Sequence, residues 1–191
     1  MTWVLAVLIG YGLGSVPVSL LVARRHGVDL RRTADGNPGA WNALEQLGAR
    51  RAWPAFIGDG LKALLAGVAG LALGDWWTGW AAVGGAMLGH AFPVWSPRQG
   101  GKSVMCFVGG AFALAPVPAL ICLAVCVALA LTASFALGAR VGVFAFPVLQ
   151  ALFQPVEHVA GTGGLMTLIG VLFLLRRSGP ARTAPGAAPR P

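Results

Sequence analysis

The sequence predicts an all-α integral membrane protein of about seven transmembrane helices, on three observations. Only 10% of the 191 residues are charged and 57% are hydrophobic, whereas a soluble domain carries about 25% charged residues. Mean hydropathy is +0.74. The apolar residues also gather in runs that approach the ~20 residues needed to cross a bilayer core, where helices or closed barrels alone satisfy the backbone.

Taken in order, the first run covers residues 2–23. It lacks a basic leader and is longer than the apolar part of a signal peptide, so it reads as a retained span. A polar loop follows at 24–51, then a second span at 53–73, a turn holding Asp75 at 74–79, and a third span at 80–95. The apolar stretch 104–137 is too long for one helix. Pro116 and Pro118 divide it, because the residue before a proline avoids helical geometry. A fourth span is thus expected at 103–117 and a fifth at 118–137. Arg140 marks a turn, with a sixth span at 141–156 and a short seventh at 163–175. Residues 1–175 form one polytopic domain, and the basic 176–191, rich in Pro, Ala, Gly and Arg, is expected to be a disordered cytoplasmic tail.

Charge sets the orientation. With the N-terminus outside, the cytoplasmic segments are 24–51, 96–102, 138–140 and the tail, and they hold every Lys and Arg except Lys62. The outer turns hold Asp75 and Glu157 and no base. The positive-inside rule therefore selects N-out, C-cytoplasmic. A five-span version that merges the last segments keeps the same tail orientation. The net charge of +8 is a topology signal here rather than a nucleic-acid footprint, and Arg24, Arg25, Arg50 and Arg51 are placed to meet anionic lipid head groups. Cys106, Cys122 and Cys126 fit no metal spacing or disulfide framework and read as small packing residues.

The chemistry gathers at 89–104, GHAFPVWSPRQGGKSV. Gly100 and Gly101 lack the Cβ atoms that keep backbone N–H groups from a ligand, and such a run forms an anion-binding nest. Lys102 adds a charge, and Ser103 is a helix N-cap or a further donor. A phosphate suits this set, although position 96 is Ser, so the pattern is not a Walker A loop. Gly-Gly-Lys alone also fits a bland turn. His90, one turn from Pro93, is a ligand contact or a packing residue. Asp59 and Lys62 share one helical face at i,i+3. They form a functional intramembrane pair, or sit at the interface with Lys62 snorkelling. In the loop, Asn37, Pro38 and Gly39 mark a turn and Asn42 follows, which fits a site or a solvated connection. Gly14-Ser15-Val16-Pro17 looks like a helix kink or a close helix approach.

Four pieces then stand in a recognisable order: GSVP at 14–17, GNPGAWNALEQLG at 36–48, GDGLKA at 58–63, and GHAFPVW with GGKSV at 89–104. Together they resemble the bacterial acyl-phosphate-dependent glycerol-3-phosphate acyltransferases, multi-pass enzymes of the inner membrane. The resemblance implies transfer of a fatty acyl group from acyl phosphate to glycerol 3-phosphate, giving 1-acyl-glycerol 3-phosphate and phosphate in phospholipid synthesis. It implies seven spans, an active site facing the cytoplasm, membrane lipid as surroundings, and no metal, organic cofactor or nucleic acid. The phosphoryl group would lie on Gly100, Gly101, Lys102 and Ser103. Ser15, Gly36, Asn37, Gly39, Asn42 and His90 would complete the pocket, braced by Asp59 and Lys62, with Lys102, His90 and Asn37 closest to the reaction.

The chain departs from that pattern where relatives carry a Ser and an Arg. Here stand Asp35 and Glu45, two potential anions in the glycerol-phosphate pocket. Arg31, Arg32 and Arg98 are the cations expected to compensate. A C-terminal His-x-x-Asn-Ile-x-Arg motif is replaced around Arg176 and Arg177. These changes raise two alternatives, a paralogue with another acceptor and a non-catalytic membrane protein of the same fold. A small-solute transporter ranks below both, because no paired inverted halves are evident.

Overall fold

The computed structural model describes residues 1–175. The expected disordered tail lies outside the described residues. Within them are nine α-helices and no strand: α1 (Thr2–Gly14), α2 (Val18–Arg24), α3 (Ala40–Leu47), α4 (Ala49–Leu73), α5 (Trp76–Ala91), α6 (Val104–Leu114), α7 (Pro116–Thr132), α8 (Phe135–Gln150) and α9 (Val156–Leu175). A 3₁₀ turn, Leu30–Arg32, lies in the polar loop.

The first run is one span broken in the middle. Pro17 lacks an N–H and its ring collides with the preceding turn, so α1 stops at Gly14 and α2 restarts at Val18. The kink expected at Gly14-Ser15-Val16-Pro17 is therefore a full break. Residues 2–24, α4 and α9 are long and apolar enough to cross a membrane, while α6, α7 and α8 are shorter apolar helices.

Several boundaries differ from the sequence expectation, each for a local reason. Asp75 caps α5, accepting from the Thr78 N–H at 2.9 Å and from its hydroxyl at 2.8 Å. The helix thus begins at Trp76 and not at position 80, and it stops at Ala91, ahead of Pro93. The helices expected as the fourth and fifth spans part at Ala115 (φ −150°), with Pro116 taking the first position of α7, where its missing N–H is harmless. Arg140 does not mark a turn. Ser134 accepts from the Leu137 N–H at 3.2 Å and caps α8, which leaves Arg140 exposed within that helix. The last helix begins at Val156, seven residues before the expected start, and runs through Gly161, Gly163 and Gly164.

The packing is inverted relative to a soluble bundle. The buried core is built from small side chains, among them Ala6, Ala63, Ala66, Ala82 and Ala86. Large ones such as Leu8, Leu65, Leu120, Phe144 and Leu174 face outward. In lipid, apolar side chains gain nothing by leaving the solvent, so close backbone approach drives helix association. The α1–α5 contact shows this most clearly. A Cβ on Gly10 would stand 1.9 Å from the Ala82 carbonyl oxygen, and one on Gly89 would stand 2.2 Å from that of Tyr11. Helix α4 lies centrally, touching α1, α2, α3, α5 and α6. At the end of the bundle away from the polar loop, Thr162 donates to the Gln150 side chain (2.6 Å). Gln150 in turn donates to Gln154 (2.8 Å). Gln154 and Trp76 both donate to the Leu114 carbonyl, tying α5, α6, α8 and α9.

This packing sets a test. Gly89→Ala should lower stability by about 1–3 kcal/mol through overpacking. Gly163→Ala, with nothing within 4 Å of the new Cβ, should be neutral or slightly stabilising. Thermal unfolding in detergent measures both.

Candidate active site

At one end of the bundle, the break in the first span, the first half of α4, the end of α5 and the loop before α6 enclose a small cleft. Its volume is about 20 Å³, room for one water-sized group, and its lining includes Ser15, Pro38, Asp59, Lys62, His90, Gly100 and Gly101.

The floor is a buried ionic cluster. Lys62 Nζ lies 2.9 Å from Asp59 Oδ1, so the i,i+3 pair forms as its spacing predicts. Neither group snorkels: Asp59 is 1% and Lys62 5% exposed. The ammonium also donates to the Val16 carbonyl at 2.9 Å and meets His90 Nδ1 at 2.8 Å. The same His90 nitrogen lies 3.6 Å from Asp59 Oδ1, so the three side chains form one cluster. Ser19 donates to the other Asp59 oxygen at 2.5 Å. Sequence reading missed Ser19, a single hydroxyl in the apolar run that forms α2.

The Gly-Gly-Lys loop is shaped differently from an open nest. The Gly101 N–H donates to the His90 carbonyl at 3.0 Å, so that amide belongs to the fold. Both glycines serve close approach. A Cβ on Gly100 would stand 2.1 Å from the Ala91 carbonyl oxygen, and one on Gly101 would stand 2.1 Å from His90 Nε2. Ser103 occupies the N-cap position of α6 in a left-handed conformation (φ 63°) but makes no side-chain capping bond. Its buried hydroxyl donates to the Met87 carbonyl at 2.7 Å, which corrects the expectation that its side chain caps the helix.

Two further expected contacts are also absorbed by the fold. Asn42 is 2% exposed. Its amide donates to the carbonyls of Leu30 (2.9 Å), Thr33 (3.3 Å) and Asn37 (3.0 Å), and its oxygen accepts from the Thr33 hydroxyl. It holds the polar loop closed and does not face the cleft. Ser15 lines the cleft, yet its hydroxyl donates to the Tyr11 carbonyl and accepts from the Val94 N–H, pinning the chain after α5. Gly36 takes φ +69° in the turn, and Gly39 leaves room for the Asn37 amide, 2.9 Å from where a Cβ would stand. Two buried polar atoms in this loop, Asn37 Oδ1 and Arg31 Nε, have no hydrogen-bond partner among the described residues.

Above the floor, Lys102 Nζ pairs with Asp35 Oδ2 at 2.8 Å and lies 4.6 Å from the centre of the Phe173 ring on α9. Partial burial pushes the Asp35 carboxyl up. The Lys102 hydrogen bond, the Asn37 N–H and the lysine charge outweigh this and hold it below its ordinary value. The cation that meets Asp35 is therefore Lys102, not Arg31, Arg32 or Arg98. Glu45 is exposed on α3 and accepts from Trp41 Nε1 at 2.8 Å.

A family model described as glycerol-3-phosphate acyltransferase matches residues 4–182. A glycerol-3-phosphate acyltransferase of Rhizobium meliloti (strain 1021) is 37% identical over 166 residues, covering 84% of this chain and 79% of the relative. That of Clostridioides difficile (strain 630) is 33% identical over 181 residues, covering 91% and 84%. The crystal structure of PlsY, an integral membrane glycerol 3-phosphate acyltransferase, in its glycerol 3-phosphate form superposes with a TM-score of 0.76 at 26% identity. It covers 93% of this chain and 88% of that one. The same enzyme in a lysophosphatidic acid form gives 0.74 at 25% identity. The chain belongs to the glycerol-3-phosphate acyltransferase family and is a membrane acyltransferase of phospholipid synthesis.

Proposed function

We propose that the protein transfers a fatty acyl group from acyl phosphate to the 1-hydroxyl of glycerol 3-phosphate. One observation carries this reading: Gly100 and Gly101 line a cleft whose floor, Asp59–Lys62–His90, is already charge-balanced, and the next residue of the same loop is Lys102, its ammonium held by Asp35. Acyl phosphate is an activated mixed anhydride, so the protein has to supply position and charge stabilisation rather than a nucleophile. The acceptor oxygen attacks the carbonyl carbon, the carbon–oxygen bond to phosphate breaks, and the departing phosphate takes the electron pair and the acceptor's proton. Lys102 steadies the phosphate's charge. His90 lines the inner end of the cleft, held by Lys62. No metal or organic cofactor enters this scheme.

The two unpartnered atoms of the polar loop fit the acceptor. Asn37 Oδ1 is an acceptor suited to a hydroxyl, and Arg31 Nε is a donor suited to a phosphate oxygen. Asn42, Gly36 and Gly39 shape that loop, and Ser15 fixes the cleft wall.

The reading includes seven passes through a bacterial plasma membrane by one domain, residues 1–175, with the first span broken and α4 to α9 each crossing once. The N-terminus lies outside and the cleft opens to the cytoplasm, as the distribution of Lys and Arg supports.

The test is phosphate release from palmitoyl phosphate by detergent-purified protein, with and without glycerol 3-phosphate. Acceptor-dependent release is expected. Release indifferent to glycerol 3-phosphate would point to another acceptor, and no release from folded protein would favour a non-catalytic role.

A further inference from the structure

Asp35 is placed as no other carboxylate of this chain is. Of the six, Asp29 accepts from the Arg31 N–H, Glu45 from Trp41 and Asp75 from Thr78. Asp59 holds Lys62, and Glu157 opens α9 at the far end of the bundle. Among the described residues Asp35 is the carboxylate that meets Lys102, with one oxygen on the ammonium at 2.8 Å. Its other oxygen accepts from the Asn37 N–H at 3.0 Å. The backbone around it is bent to present it. Ala34 lies at φ 44° and Gly36 at φ 69°, and the first is a conformation that favours glycine. The ammonium has three N–H groups, and here a carboxylate oxygen holds the place on it that a phosphate oxygen would take.

We propose that Asp35 is a specificity-determining residue, a tethered carboxylate that competes with the substrate's phosphoryl group for Lys102. Binding is then an exchange of one anion for another. A singly charged ligand gains little over a carboxylate already present on the same loop, whereas a dianionic phosphoryl group offers more charge and more acceptor oxygens. The site thereby favours acyl phosphates and phosphate monoesters over carboxylates and phosphodiesters. This rests on the reading of Lys102 as a phosphate ligand.

The experiment measures inorganic phosphate affinity by titration calorimetry and KM for palmitoyl phosphate, in wild-type protein, Asp35→Asn, Asp35→Glu and Asp35→Asn/Lys102→Ala. Thermal unfolding confirms that each is folded. Asn keeps an acceptor for the Asn37 N–H and removes the charge. It should tighten phosphate binding and lower KM about three- to tenfold, the modest range expected for a partly exposed pair. Asp35→Glu should stay near wild type, and the double variant should lose the gain. Unchanged or weaker phosphate binding in Asp35→Asn would overturn the proposal and make Asp35 a loop tether only, whatever the turnover. If Asp35→Asn binds phosphate more tightly but no variant turns over palmitoyl phosphate, the proposal stands and the acyltransfer reading fails. If Asp35→Asn aggregates, Asp35→Ser serves the same comparison.

Discussion

Lys62→Met should destabilise the protein by about 3–5 kcal/mol, because it leaves the Asp59 carboxylate buried without its cation. Met matches the length of the lysine stem, so packing is nearly preserved and the loss reports charge. Three contacts go at once: to Asp59, to the Val16 carbonyl and to His90. Turnover should fall at least ~10²-fold, since His90 loses the donor that orients its ring. The second substitution Asp59→Asn separates the two effects. Asp59→Asn/Lys62→Met removes both charges, so it should recover much of the stability, measured by thermal unfolding, while turnover stays low. Equal recovery of stability and turnover would mean the pair is purely structural.

Gly101→Ala should show the opposite balance. Its Cβ would meet His90 Nε2 at 2.1 Å and Cδ2 at 2.9 Å, so the imidazole must leave its place over Lys62. The loop lies at the bundle's end, and the helix packing that dominates stability is not disturbed. We expect kcat to fall about 10²-fold, with a drop in Tm far smaller than that of Lys62→Met. A Gly101→Ala protein with wild-type kcat would show that the His90 position does not matter to the reaction.

Much of this was legible in the sequence, and the reasons for the rest are physical. Asp59 and Lys62 were legible because ionisable groups in an apolar run have to find each other, and i,i+3 is neighbouring distance. A kink near Pro17 was legible because proline geometry is local, but not that the helix stops and restarts there. The hydrogen bonds of Asn42 to Leu30, Thr33 and Asn37 were not legible, because a sequence shows that an amide is present but not which carbonyls it meets. The Gly101 N–H, expected in a nest, donates to the His90 carbonyl, and a sequence cannot show this because glycine permits close approach to a ligand or to the protein's own backbone. Asp35 was expected to find its cation among Arg31, Arg32 and Arg98. Its partner stands 67 positions away, and only the assembled bundle brings Lys102 to it. The late helix boundaries moved because Ser134 and Asp75 act as caps, a signal that hydropathy alone hides.

The Val16 carbonyl has a wider consequence. In an unbroken helix it would accept from the N–H of Leu20, and no outside group could use it. Because Pro17 interrupts the helix, that oxygen is turned to Lys62. The proline and the lysine are therefore coupled, and a single substitution at either costs the other a contact. Restoring a straight helix takes from the ammonium one of its three partners, leaving Asp59 and His90, and removing the lysine leaves the Asp59 carboxylate without its cation while the Val16 carbonyl keeps the Val18 N–H. A lineage that abandons this arrangement is expected to change positions 17, 59 and 62 together, as a set inherited or lost as one.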